Sequence, residues 1–293
     1  MEIIEIALND FLIRIKEEYA LANVDIANII GVSPAAVTGY LNKSIILTKS
    51  NAEKVNDWLI QNKHKNLFSY IFAYTEESSY FFHGSKNQII GQVKVDYGIR
   101  EHDFGQGFYL GETFLQSAAL AAERNNKGYL YKFEFDINKL RTITLEGLDW
   151  LFFIAINRNK IQLNDTTANI FKRYKQIIDS DYDVIIGKIA DDRMAISMES
   201  FFNDDLYDVE LFACLKKLAL GNQYCIKHQS AIDQLKLVES YHLEKNLKEF
   251  IEEYAINSRN EAIEEADRIR NNHSINKRGG KTFDELIKDY GSK

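Results

Sequence analysis

Apolar residues return at helical spacing at the start of the chain. Ile4, Leu8, Leu12 and Ile15 share one face, with Glu and Asp between them, which predicts an opening amphipathic helix. A second apolar stretch, from Asn23, stops at Gly31, a residue type that accepts the left-handed backbone of a tight turn. Ser33 is then a good N-cap. Pro34, the only proline, sits at the first helical position, where a missing N–H costs nothing. Ala27, Val32 and Val37 are spaced to pack these two helices across the turn, and a further helix is expected over 49–61.

From about residue 67 the pattern changes to short aromatic and β-branched segments. Strands are expected over 79–83, 107–110, 129–135, 182–186, 223–227 and 236–241, the clearest alternation running from Gly128 to Asp136. Helices are expected between them over 113–125, 148–159, 167–179 and 207–219. Strands with helices interspersed, but without regular βαβ alternation, argue for an α+β fold. The stretch 243–293 is highly charged and helical, broken at Arg278-Gly279-Gly280. Thr282 then offers a cap, with Glu285 three residues on. The expected organisation is therefore a helical span 1–66, an α+β domain 67–242 and a helical C-terminal arm 243–293. The first span resembles the helix-turn-helix of phage-repressor-like DNA-binding domains.

Charge constrains that resemblance. The net charge is −7 with a pI near 5.5, so the chain as a whole repels nucleic acid and DNA must be met by a local patch. If 33–43 is a recognition helix, Ser33, Thr38, Tyr40, Asn42 and Lys43 are the residues expected to touch DNA. Lys43, Lys49, Lys54, Lys63 and Lys65 are available to phosphates. The alternative is a small helical domain for dimerisation or partner docking. Cys214 and Cys225 are isolated, as in a reducing compartment. No apolar run spans a bilayer, and the acidic N-terminus lacks the basic start of a signal peptide. A cytoplasmic protein without membrane partners is expected. No metal-ligand spacing and no P-loop are present in the sequence.

The chemistry-bearing residues lie in three separated runs: His83-Gly84-Ser85; Asp103-Phe104-Gly105-Gln106-Gly107-Phe108-Tyr109; and Asn222-Gln223-Tyr224. Read singly, each has a plain structural reading, a core histidine or an aromatic strand. Together they resemble the NAD-binding constellation of the ADP-ribosyltransferases of the diphtheria-toxin and poly(ADP-ribose) polymerase clan. Trp150 to Arg158, with Asn157-Arg158 at its end, is also similar to a bacterial branch of this clan that carries HG[ST]…DFGxGFY, and the resemblance extends over about 80–237. It implies a split antiparallel β-sandwich, two small sheets gripping NAD in a cleft. It also implies that His83 bonds a ribose hydroxyl and that the backbone after it grips the nicotinamide amide, which brings Gly84 and Ser85 to the cofactor. Tyr109 stacks on nicotinamide, in a loop whose Phe104 and Gly107 line the cofactor. Gln223 takes the place of the family's Glu on the ribose or acceptor.

Glutamine brings a hydrogen bond but no charge, so single transfer, not polymer growth, is expected. Arg100 is expected to meet the diphosphate, because a guanidinium matches phosphate geometry. Asp191 or Asp192 is a spare carboxylate for the charge that Gln223 lacks. The implied catalytic set is His83, Tyr109 and Gln223, with NAD as substrate and no metal. The implied function is a mono-ADP-ribosyltransferase, a toxin or phage-defence effector carrying a DNA-binding-like segment. Its acceptor is a protein or nucleic acid, and an antitoxin or a second copy is its partner. Residues 264–291 are similar to the arms of small type II antitoxins; packing on the chain's own domain is the alternative. The competing class is a transcriptional regulator that binds NAD or a nucleotide without chemistry.

Overall fold

The opening apolar stripe folds as a helix only from Leu8. In the computed structural model, which describes residues 3–67, 80–97, 102–123, 127–190, 192–218, 221–271 and 279–291, Ile4 instead starts a strand, β1 (Ile4–Ile6). It pairs in parallel with β8 (Lys236–Leu243), Ile4 opposite Tyr241 and Ile6 opposite Leu243. A long-range ladder here overrides a local helical spacing.

The chain divides into two units, cut elsewhere than the three spans expected from sequence. The first comprises Met1–Ile90, Glu112–Phe135 and Lys236–Tyr254; the second comprises Gly91–Gly111, Asp136–Leu235 and Ala255–Lys293.

In the first unit the strands lie in the order β1, β8, β4 (Tyr129–Glu134), β2 (Tyr80–Ser85). All neighbours but the first pair are antiparallel. Among the described residues, four α-helices lie between β1 and β2 in the chain: α1 (Leu8–Glu18), α2 (Asn23–Ile30), α3 (Pro34–Leu41) and α4 (Lys49–Gln61). Helices α2 and α3 meet at 104°, across a turn in which Gly31 takes φ +79° and the Ser33 hydroxyl accepts from Ala36 N. These helices share one core with the sheet and with α5 (Phe114–Ala122): Leu8, Phe11, Leu12, Ile26, Val37 and Val55 are buried in the same cluster as Phe82, Phe114, Leu130 and Tyr241. Each such side chain contributes about 1.5–3 kcal/mol by leaving water. Buried Asn9 joins them. Its amide donates to Tyr40 O (2.8 Å) and Ile45 O (2.9 Å), and its oxygen accepts from Leu47 N (2.9 Å), which ties down the chain after α3.

The second unit carries β3 (Phe108–Gly111), β7 (Asn222–Ile226), β6 (Val184–Lys188) and β5 (Thr142–Leu145) in that order. The last pair is parallel, the others antiparallel. Both sets of strands are therefore mixed, which corrects the expectation of purely antiparallel sheets. Helix α6 (Gly147–Asn157) is buried from Trp150 through Ile156 and forms the centre of this unit's core. The unit also carries α7 (Ala168–Asp179), α8 (Asp192–Phe202), α9 (Asp208–Leu218) and the short α10 (Gln229–Ile232). Helix α11 (Lys245–Asn271) follows β8, and α12 (Phe283–Gly291) ends the described chain. The Thr282–Glu285 capping box forms, with Glu285 Oε2 accepting from Thr282 N at 2.9 Å. Phe283 then enters an aromatic cluster with Phe152, Phe201 and Phe202, so this part of the C-terminal arm packs on the chain's own core. Among the described residues no single helix is long and apolar enough to cross a membrane.

Candidate functional site

Strand register explains why two of the three sequence runs meet. In the second unit Tyr109 lies opposite Cys225, and Gly111 opposite Gln223. Paired residues project to the same face, as do residues two apart. Tyr109 and Gln223 therefore share one face of β3–β7. On the other side of β7, Gly187 is the register partner of Gln223, so Gln223 stands between two glycines. The turn His102–Gln106 folds over this face, with Gly105 at φ +72° and its N–H bonded to His102 O at 2.9 Å.

Residues far apart in sequence hold that turn. The Arg158 guanidinium, just beyond α6, puts Nε (2.9 Å) and Nη2 (2.6 Å) on Asp103 Oδ1 and also donates to Ala190 O (2.8 Å). Gln223 Nε2 donates to the other carboxylate oxygen, Asp103 Oδ2, at 2.8 Å, and to Lys188 O at 3.3 Å. Asn157 donates to Asp103 O (3.0 Å) and itself accepts from the Tyr174 hydroxyl (3.0 Å). Lys227 binds Phe104 O (2.9 Å) and Gln106 O. The Tyr109 hydroxyl donates to Gly105 O at 2.6 Å and accepts from Phe104 N at 3.0 Å. Burial pushes the Tyr109 phenol far above its ordinary range, so it stays neutral; it also pushes the neighbouring Cys225 thiol up to about 11. A cation at Arg158, an acceptor pair at Asp103 and a glycine turn thus form a set of groups fixed in place within one unit.

The remaining expected site residues fall as follows. His83 lies on β2 of the first unit, half-buried, opposite Tyr131 of β4 with ring centroids 6.4 Å apart. The Ser85 hydroxyl donates to Asn87 O at 2.6 Å. Gly84 was expected to open the backbone to a flat ligand, but its missing Cβ leaves room for the protein instead: a Cβ there would lie 1.8 Å from Ser117 O of α5. Gly107 is likewise packed, its Cβ position 2.4 Å from Cys225 Sγ. Phe104 is fully buried against Phe153, centroids 6.0 Å apart, and supports the turn from below where a cofactor contact was expected. Arg100 and Asp191 lie outside the described residues; Asp192 opens α8.

On α3 and the turns beside it, Ser33 is the cap of the helix. The Thr38 hydroxyl donates to Pro34 O and accepts from Asn23. Asn42 accepts from Ser44 N, and Lys43 is paired with Asp10 at 2.5 Å. Tyr40, expected to touch DNA, is 7 % exposed, and its hydroxyl accepts from Asn51 in the helical core.

Sequence reasoning gave no role to Asp103, Arg158 or Lys227. The first two were visible as parts of quoted motifs, but their pairing spans 55 residues and leaves no local signal.

No curated protein and no solved structure matches the chain. The family model described as "Protein of unknown function (DUF3990)" matches residues 80–237, which contain all three runs, and the chain belongs to this family.

Proposed function

We propose that the chain transfers single ADP-ribose groups from NAD. The observation that supports this best is the meeting of Asp103, Tyr109 and Gln223, 120 residues apart in chain from first to last, on one strand face. In the proposed reaction the bond between ribose C1′ and the nicotinamide nitrogen breaks. Its electron pair goes to the departing neutral nicotinamide. The oxocarbenium-like ribose is then attacked at C1′ by an acceptor nucleophile, whose proton passes to solvent. His83 holds a ribose hydroxyl. The Tyr109 ring is assigned to nicotinamide, with its hydroxyl engaged within the turn. Gln223 faces the ribose, and Arg100 is assigned the diphosphate.

A toxin or defence effector is the setting that suits a transferase joined to a DNA-binding-like segment. The 104° α2–α3 geometry supports a self-regulating role on DNA. The test is incubation of the full chain with NAD, following free nicotinamide and the intact mass of the protein. Release that disappears in His83→Ala and Tyr109→Ala, with both variants folded, supports the reading. Measurable NAD binding without release moves it to the non-catalytic regulator.

A further inference from the structure

Resting on the transferase reading, we infer that Asp103 is a positioning residue: it turns Gln223 so that the carbonyl oxygen, and not the amide nitrogen, faces substrate. Both near neighbours of the Gln223 amide are acceptors, the Asp103 carboxylate at 2.8 Å and Lys188 O at 3.3 Å. Only the NH2 group satisfies them, so chemistry fixes which end of the amide points inward. Among the described residues the Gln223 oxygen accepts no hydrogen bond. It is left as an acceptor for a ribose hydroxyl, on the side where the family's glutamate would present a carboxylate oxygen.

Asp103 also does more than orient. An amide whose N–H donates to a carboxylate is polarised, and its oxygen gains negative charge. The carboxylate is itself held by the Arg158 fork on its other oxygen, is only 12 % exposed, and is thus fixed relative to Gln223. Charge that the sequence lost at position 223 is in this way supplied indirectly from position 103. The sequence alone pointed to Asp191 or Asp192 for that task.

The arrangement makes a restoring-looking substitution harmful. Gln223→Glu recreates the family's residue but sets a carboxylate oxygen against Asp103 Oδ2 and Lys188 O, with no donor between them. Asp103→Asn keeps an acceptor for Arg158 and turns its own NH2 toward Gln223, which must then flip and present NH2 to substrate. Combining the two restores a donor–acceptor pair between positions 103 and 223, because Asn at 103 donates to Glu at 223, and leaves only the longer contact with Lys188 O unmatched.

The experiment measures nicotinamide release by the wild type, both single variants and the double variant, with thermal melts of each. Asp103→Asn is expected to lower kcat about 10²-fold with KM within a few-fold, the scale of losing one preorganised transition-state group. Gln223→Glu is expected to fall below wild type, and the double variant to recover to within about tenfold of it. Should Asp103→Asn fail to fold, the comparison of Gln223→Glu with the double variant carries the test. An Asp103→Asn variant as active as wild type, a Gln223→Glu variant more active than wild type, or a double variant no better than Gln223→Glu overturns the inference alone. A folded wild type that releases no nicotinamide removes the transferase reading, and the inference with it.

Discussion

Gly84→Ala separates a packing role from a ligand-facing one at the residue that follows His83. The added Cβ would sit 1.8 Å from Ser117 O and 2.8 Å from Ser117 C, and both atoms belong to the backbone of α5. Bringing the nearer contact to 3.0 Å needs a retreat of about 1.2 Å, a movement that a rotamer change cannot supply. Ser117 is not free to retreat: its hydroxyl donates to Phe82 O at 2.9 Å, and Phe114 and Ala118 on the same helix are buried in the first unit's core. Overpacking costs about 1–3 kcal/mol and losing the Ser117 bond about 1 kcal/mol more, together about 2–4 kcal/mol. For a chain of this size that lowers the melting midpoint by roughly 3–7 °C. Thermal and urea unfolding followed by circular dichroism measure it. A variant that melts with wild type yet loses NAD binding refutes the packing argument and returns Gly84 to the ligand.

Two further substitutions probe the same unit. Asn9→Ala strands Tyr40 O, Ile45 O and Leu47 N in a buried place, and urea unfolding is expected to show a loss of about 2–4 kcal/mol; a loss under about 0.5 kcal/mol refutes this. Glu239, the register partner of Lys132, accepts from the Tyr241 hydroxyl first and from Lys132 second, and both interactions hold its carboxyl below the usual glutamate range. A depressed carboxyl contributes stability that is present above its unfolded value, about 4.3, and lost as pH falls through its folded value. Glu239→Gln is therefore expected to be less stable than wild type at pH 7, with the gap closing below about pH 4; a gap that is constant with pH refutes the assignment.

Local chemistry made much of the fold legible. Ser33-Pro34, Thr113 with Gln116, and Thr282 with Glu285 each start a helix where their side chains predict it, because a cap needs only residues three apart. Six strands were readable from aromatic and β-branched runs. The misses have physical causes. β1 is three residues long and acquires its ladder from Tyr241–Leu243, so nothing near Ile4 encodes it. β5 has only four residues, with Leu145 its one buried side chain. α8 did carry a signal, since Met194, Met198 and Phe201 stand at i, i+4 and i+7 and are all buried; the acidic pair Asp191-Asp192 was read for its carboxylates instead. At the site, residue types were legible and partners were not. The glycine turn could be read from 103–109, whereas the Arg158 fork and the Gln223 amide on Asp103 exist only once β3 and β7 are in register.

The change of pattern near residue 66 marks a change of secondary structure, not of core. Helices α1 to α4 bury Leu8, Phe11, Val37 and Val55 in the cluster that holds Phe82, the residue before His83, and β1 lends its backbone to β8. A cut at 66/67 would uncover that cluster and leave the edge of β8 unpaired, an exposed strand of the kind that drives aggregation. Loss of activity in such a fragment would report the lost core and say nothing about DNA. Val37 of α3 and Phe82 of β2 belong to that one packed cluster. Helices α1 to α4 and the histidine-bearing strand therefore share one core, and the tests of each belong on the full chain.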